Sequence, residues 1–384
     1  MPRTPEPGTH PYMEFKACTE ATLGLEIEFQ LLDPVTLDLT DGITALLRES
    51  PEAPDIKPEL TQCSVEINSR VCKNIQELEA DVISVVKRLK RRCESAGLKL
   101  CAAGAHPFSR RPVGITPLPR YLAIEKKMAY LSRRLKTFAL HVHVGMPSGD
   151  VALVVMTMLK PYLPLLLALS ASSPFWEGEV TGLACFRQRF LAMLRDYGVP
   201  PSFSTWNDFA EFFENTRTAG LTAICRDLHW DLRPSPGFGT LEVRVMDALP
   251  TVRENILMAA LVYTLIVYLL RCREQETPGH LPLHRWWMVK MNHVNASYQG
   301  LEADYVFDEK GHNRPIKSVI QEVFEALAPT AHELGTADYL QCLGKNLFDA
   351  PSYRRQRQIF QNTGSVEAVA ADLVRELEEE LASY

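Results

Sequence analysis

The sequence of 384 residues has no CxxC pair, and its nine cysteines (Cys18, Cys63, Cys72, Cys93, Cys101, Cys185, Cys225, Cys272 and Cys342) are scattered and odd in number. Both a zinc ribbon and a disulfide framework are disfavoured, so a cytoplasmic protein with reduced thiols is expected. There is no basic excess. Lys and Arg total 41 against 47 Asp and Glu, a formal charge of −6, which argues against a nucleic-acid partner. The opening segment MPRTPEPGTHPYMEF lacks the apolar centre of a signal peptide. An unbroken apolar run of the roughly 20 residues that cross a bilayer is also missing. Lys160, Pro161 and Pro164 interrupt Val151–Ala171, and Ile256–Leu270 is short. Both read as buried core helices, with no membrane partner. No repeat or low-complexity tract is present. At 46% hydrophobic and 23% charged, the composition is that of a globular protein.

Residues 1–20 read as a flexible leader and 21–384 as a single domain with a mostly helical C-terminal part. Strands are expected at Thr22–Leu32, Gln62–Val71, Leu98–Ala103, Thr137–Met146, Leu228–Arg233 and Thr240–Asp247. Asp33–Thr44 reads as a turn and Glu49–Pro58 as a loop. A helix is expected at Ile75–Gly97, where Ile75, Leu78, Val82, Val85, Val86 and Leu89 share a face. Further helices are expected at Arg120–Lys136, at Val151–Ser172 with a break at its prolines, at Val252–Arg273 and at Val366–Ala382. Strands and helices do not alternate as βαβ units, which favours an α+β fold with an antiparallel sheet.

Side chains alternate faces along a strand, and four strands share one anomaly. Leu23, Leu25, Ile27 and Phe29 oppose Gly24, Glu26, Glu28 and Gln30; Val65 and Ile67 oppose Ser64, Glu66, Asn68 and Arg70. Leu140, Val142 and Val144 oppose His141, His143 and Gly145; Leu241, Val243 and Val245 oppose Thr240, Glu242 and Arg244. A sheet with one solvated face also alternates. Such a face usually carries Lys, Thr and Ser, however, whereas these positions hold Glu, Asn, Arg and His, the types found in catalytic and ligand sites.

If the strands are neighbours, the carboxylates repel. Each close pair costs about 4 kcal/mol at about 4 Å and an effective dielectric of about 20, against a usual total stability of about 5–15 kcal/mol. Arg244 and Arg70 are expected to neutralise part of this charge and divalent cations the rest. Oxygen-rich donor sets suit Mg²⁺ or Mn²⁺ better than zinc. The HxH pair, with Glu for company, is expected to give one imidazole to a mixed Glu/His site; the other, taken as His141, contacts phosphate or substrate.

These residues resemble the type 2 glutamate–cysteine ligases, or carboxylate–amine ligases. Thr22-Leu-Gly-Leu-Glu-Ile-Glu-Phe-Gln30 is similar to the family's GxExEF strand, Glu59 with Ser64-Val-Glu-Ile-Asn68 to its second acidic strand, and Leu140-His-Val-His-Val-Gly145 to its LHVHVG segment. The stretch Trp230–Asp247 resembles its WDxRPxPxFGTxExRxxD signature, and Thr181, Gly182 and Arg187 fit a further segment. The resemblance implies a glutamine-synthetase-like antiparallel catalytic sheet with helices packed on its outer face. It implies ATP, Mg²⁺ or Mn²⁺, small carboxylate and amine substrates, and a homo-oligomer. By the same resemblance Glu26, Glu28, Glu66, His143 and Glu242 would ligate metal. Arg244 would stabilise the transferring phosphoryl group, with Glu66 and Glu242 part of the catalytic set. Arg233, Arg244, His141 and Asn68 would line the nucleotide and substrate pocket. Tyr298 stands where the family usually carries Arg.

Two other readings stay open at this level: a metal-dependent hydrolase built on HxH, and a family member that binds nucleotide or amino acid without turnover. The run Lys87–Arg92 reads as a solvated helix face. Pro236–Gly239 reads as a tight turn rather than a phosphate loop, since it opens no helix.

Overall fold

A computed structural model describes residues 13–48, 54–194 and 197–384. Its centre is a seven-stranded antiparallel sheet. The strands are β1 (Leu23–Leu32), β2 (Ile56–Pro58), β3 (Ser64–Asn68), β4 (Lys99–Cys101), β5 (Ala139–Gly145), β6 (Leu232–Ser235) and β7 (Thr240–Asp247). They lie in the order β6-β7-β5-β1-β3-β2, with β4 also paired to β1. The fold is α+β, as the segment pattern implies.

The apolar faces of the strands form the core. Ile27, Val65, Ile67, Leu140, Val142, Val144, Leu241 and Val243 are fully buried. Helices α1 (Ile75–Ser95), α4 (Leu163–Ser170) and α5 (Val252–Glu274) cover that face. In α1 the predicted apolar stripe is the buried one, Asn74 caps the start by accepting from the Glu77 amide, and Gly97 follows the end at φ +68°. The apolar run 149–170 splits as its prolines dictate. Helix α3 (Gly149–Leu159) passes through a 3₁₀ turn at Lys160–Tyr162 into α4. This run and α5 are mostly buried within the fold.

Three segments differ from expectation. Part of the loop expected at Glu49–Pro58 is strand β2 at the sheet edge; residues 49–53 lie outside the described residues. The turn read over Asp33–Thr44 gives way to a short helix from Ile43. The helix expected over Arg120–Lys136 is two pieces, α2 (Pro119–Met128) and a 3₁₀ stretch Ala129–Arg134. The junction falls at Ala129, whose φ of +50° cannot continue a helix.

Of the segment read as a leader, residues 1–12 lie outside the described residues. Residues 13–20 are fixed by three backbone contacts: Lys16 N donates to Pro236 O, Cys18 N to Met146 O, and the Trp206 indole to Met13 O. Gly239 allows this approach. A Cβ there would sit 1.7 Å from the Lys16 carbonyl oxygen, so the Pro236–Gly239 turn both joins β6 to β7 and receives the chain before β1.

Candidate active site

Strand register carries the polar residues onto one surface. Across β1 and β3, Glu28 pairs with Glu66 and Glu26 with Asn68. Across β1 and β5, Glu26 pairs with His141 and Gly24 with His143. Glu242 on β7 pairs with His143 and with Arg233 on β6. The alternation read from sequence thus converges Glu26, Glu28, Glu66, Asn68, His141, His143, Arg233, Glu242 and Arg244 in one cleft of about 210 Å³.

Two donor clusters lie there, each with ligand atoms within 4.8 Å of one another: Glu26, His141 and Glu242, and Glu28, Glu66 and His141. His141, expected as a substrate contact, therefore stands at the junction of both, its Nδ1 3.1 Å from Glu26 Oε2. His143 Nδ1 is 2.9 Å from Thr240 Oγ1. Its buried Nε2 makes no hydrogen bond and faces Glu26 Oε1 at 3.5 Å. A side chain fixed through one nitrogen and orphaned at the other is disposed to hold a cation. Residues i and i+2 on one strand share a face, so the sequence does not rank these two histidines.

The arginines divide their work. Arg233 uses Nε and Nη2 on Glu242, at 2.9 and 3.1 Å, and Nη1 on the carbonyls of Arg226 and Leu228. Its fork is committed to Glu242 and the chain, although Arg233 also lines the cleft. Arg244 also pairs with Glu242 and reaches toward His141. Arg70, expected among the carboxylates, sits at the rim beside Asp81, 3.6 Å away. The interior is left more acidic than anticipated.

Charge balance follows from these partners. Burial works to raise Glu242, but Arg233 and Arg244 hold its carboxyl far below the usual range. Burial likewise opposes ionisation of Glu26, yet His143 and His141 hold it well below its ordinary value. Glu28 is supported more weakly, by Arg187, the Ala139 amide and Arg244. Burial, then Glu59, push it up to about 8. Burial and the charges of Glu26 and Glu59 raise Glu66 well above its ordinary value. Burial and Arg244 lower His141 to about 4, leaving a neutral imidazole. A site in which Glu28 and Glu66 resist ionising without added positive charge fits divalent cations.

Helix α2, loops and two-residue strands supply residues that strand periodicity cannot find. Glu59, Tyr121, Tyr197, His229, Arg120 and Arg226 line the same cleft. Tyr197 and His229 stack at 5.0 Å. Glu59 was the one with a signal, through its place in the second acidic motif. Phe238, on the turn between β6 and β7, lines both this cleft and a neighbouring apolar compartment of about 550 Å³. Tyr298 lies on α6 (Trp286–Gln299), half exposed, away from either space.

Comparison with known proteins bears on the family and the fold. The family model for glutamate–cysteine ligase family 2 matches residues 22–372. A relative from Trichormus variabilis, provisionally named glutamate–cysteine ligase 2, is 50% identical over 371 residues, covering 96% of each chain. One from Thermobifida fusca with the same provisional name is 36% identical, covering 95% of this chain and 92% of its own. Among solved structures, a glutamate–cysteine ligase from Francisella tularensis in complex with AMP superimposes with a TM-score of 0.69 at 12% identity, covering 97% and 90%. A bifunctional glutathione synthetase from Pasteurella multocida gives 0.69 at 13%, over 95% of this chain and 52% of that longer one. These structures share the fold, which is glutamine-synthetase-like. By the extent of the family match and of its relatives, the chain belongs to glutamate–cysteine ligase family 2.

Proposed function

We propose that the protein is an ATP- and Mg²⁺-dependent carboxylate–amine ligase, nominally a glutamate–cysteine ligase, with Mn²⁺ able to replace Mg²⁺. The observation that carries this reading is the meeting of Glu26, Glu28, Glu66, His141, His143 and Glu242 with Arg244 on one concave sheet face. Oxygen-rich clusters with one imidazole each suit Mg²⁺ or Mn²⁺. Such ions, held by these residues, would neutralise phosphate charge during in-line transfer.

Amide formation from a carboxylate and an amine is uphill in water, so the carboxylate must be activated. Its oxygen takes the γ-phosphoryl group and ADP leaves; the amine nitrogen then attacks the acyl carbon, phosphate leaves and the nitrogen loses a proton. Arg244 follows the moving negative charge, for which its planar fork is suited. Asn68, donating to Glu66 Oε1 at 2.5 Å, orients that carboxylate. Cytoplasmic action, a single catalytic domain over 21–384 and a homo-oligomer belong to the same proposal.

The test is ADP release over a panel of carboxylates and amines. Release that requires one of each supports ligation. Turnover with zinc and no nucleotide would overturn it in favour of a hydrolase, and binding without turnover in favour of a sensor.

A further inference from the structure

Glu59 lies in the turn between β2 and β3, where it shares a hydrogen bond with Glu66. That turn is gripped by a strap formed by residues 107–121. Gln62 N donates to Gly114 O at 2.8 Å, Thr116 N to Leu60 O at 2.9 Å and Thr116 Oγ1 to Glu59 O at 2.6 Å. Tyr121 OH donates to Pro58 O at 2.9 Å. Where the strap lies therefore sets where the Glu59 backbone lies.

The other end of the strap is fastened well away from the acidic residues, on Lys136. This lysine is 1% exposed, a costly place for an ammonium group unless each donor is used. All three are. Nζ donates to Ser109 O at 2.6 Å, to Glu177 Oε1 at 2.7 Å and, at 3.5 Å, to Arg111 O. Two of these acceptors are strap carbonyls. Arg134 repeats the pattern, with Nη1 2.9 Å from both Arg110 O and Glu177 Oε1. Glu177 closes the clasp from the tip of a hairpin over 175–180, where its φ is +52° and that of Gly178 is +83°. Such two-residue turns favour Asn or Asp before Gly. Glu in that place has the longer side chain, and here it reaches Lys136.

Resting on the ligase reading of the cleft, we propose that Lys136 is a positioning residue: its buried ammonium group pins the strap to Glu177, and the strap holds Glu59 against Glu66. Lys136 touches none of the acidic residues of the cleft itself. Its effect passes through Ser109 and Arg111 to Thr116, and from there to the Pro58–Gln62 turn. Loosening that turn changes the surroundings of Glu66, and with them the cation affinity of the cleft.

The test uses Lys136→Met, which keeps the stem and leaves Arg134 to pair with Glu177, and the double variant Lys136→Met/Glu177→Met. An apolar pair in place of a buried ion pair is often neutral for stability, so the double variant is expected to regain the denaturation midpoint without regaining the carbonyl tethers. Hydrogen exchange well below the midpoint is expected to show Gln62 and Thr116 amides losing protection at least tenfold in both variants, with β5 and α1 amides unchanged. Calorimetric titration with Mg²⁺ in the presence of ADP is expected to show Mg²⁺ binding at least tenfold more weakly in both. The proposal is overturned if protection falls uniformly over the chain, if Gln62 and Thr116 keep theirs, or if Mg²⁺ affinity is native in either variant. Neither measurement needs turnover, so failure of the ligase reading shows separately, as absence of ADP release coupled to acid and amine in the unaltered protein.

Discussion

Glu28 and Glu66 face each other directly across the antiparallel pair β1/β3, and neither has a guanidinium within salt-bridge distance among the described residues. Glu28 instead accepts from the Ala139 amide at 2.8 Å, and Glu66 from Asn68. Two carboxyls in this relationship strain the cation-free protein and invite a cation.

Stability should therefore depend on pH in a specific window. A carboxyl whose pKa is higher in the folded than in the unfolded state destabilises the fold as pH rises above the unfolded value, until it ionises when folded. Glu28 moves from 4.5 to about 8, and Glu66 also moves upward. His143, raised by Glu242 and Glu26 against its burial, acts with the same sign. His141, lowered to about 4, acts oppositely but only below its unfolded 6.5. Between pH 6.5 and 8 in EDTA, urea denaturation should show stability falling by up to about 1.4 kcal/mol per pH unit for each retained proton. Saturating Mg²⁺ should restore most at pH 8. A flat or rising metal-free profile would count against the acidic cluster.

Glu28→Gln should separate stability from function. The amide keeps an acceptor for Ala139 but carries no charge. The cation-free protein should gain about 1–2 kcal/mol, the scale of relieving one destabilising contact, while turnover falls at least 100-fold. A variant as active as the wild type would remove Glu28 from the ligand set.

The two arginines on Glu242 should fail differently. Arg233 is fully committed to Glu242 and two carbonyls, so Arg233→Ala should cost about 3 kcal/mol or more in denaturation midpoints. Arg244→Lys keeps a charge near Glu242 but loses the planar fork. It should fold with near-native stability and lower kcat by about 10²–10³-fold, with little change in nucleotide KM. Equal effects from the two variants would contradict this division.

Gly104 packs closely against Asp247. A Cβ there would lie 2.3 Å from Asp247 Oδ2, which accepts from Ser172 N and Ser173 Oγ. Gly104→Ala should destabilise the fold by about 2–3 kcal/mol. Unchanged thermal stability would refute the packing argument.

What the sequence disclosed follows from strand periodicity. Alternation at Glu26/Glu28, Glu66/Asn68, His141/His143 and Glu242/Arg244 gave the sheet face before any register was known, because i and i+2 must point together. Arg70 continues the same alternation, yet β3 ends at Asn68, so its side chain escapes to Asp81. Glu59, Tyr121, Tyr197 and His229 come from a loop, from helix α2 and from two-residue strands. No period marks them, and apart from Glu59, which its motif marks, only tertiary packing brings them in. Strand β2 was hidden for a related reason. Three residues ending in Pro58 carry too little pattern to read, and Pro is tolerated there because the strand is at an edge.

The central claim is that the carboxylates and imidazoles of this cleft hold divalent cations beside a nucleotide. Crystals grown with Mn²⁺ and ADP, measured at the manganese absorption edge, test it most directly. The account predicts anomalous peaks within about 2.0–2.3 Å of oxygen or nitrogen atoms of Glu26, Glu28, Glu66, His141, His143 or Glu242. Peaks confined to surface carboxylates, with the cleft empty and ADP elsewhere, would contradict it.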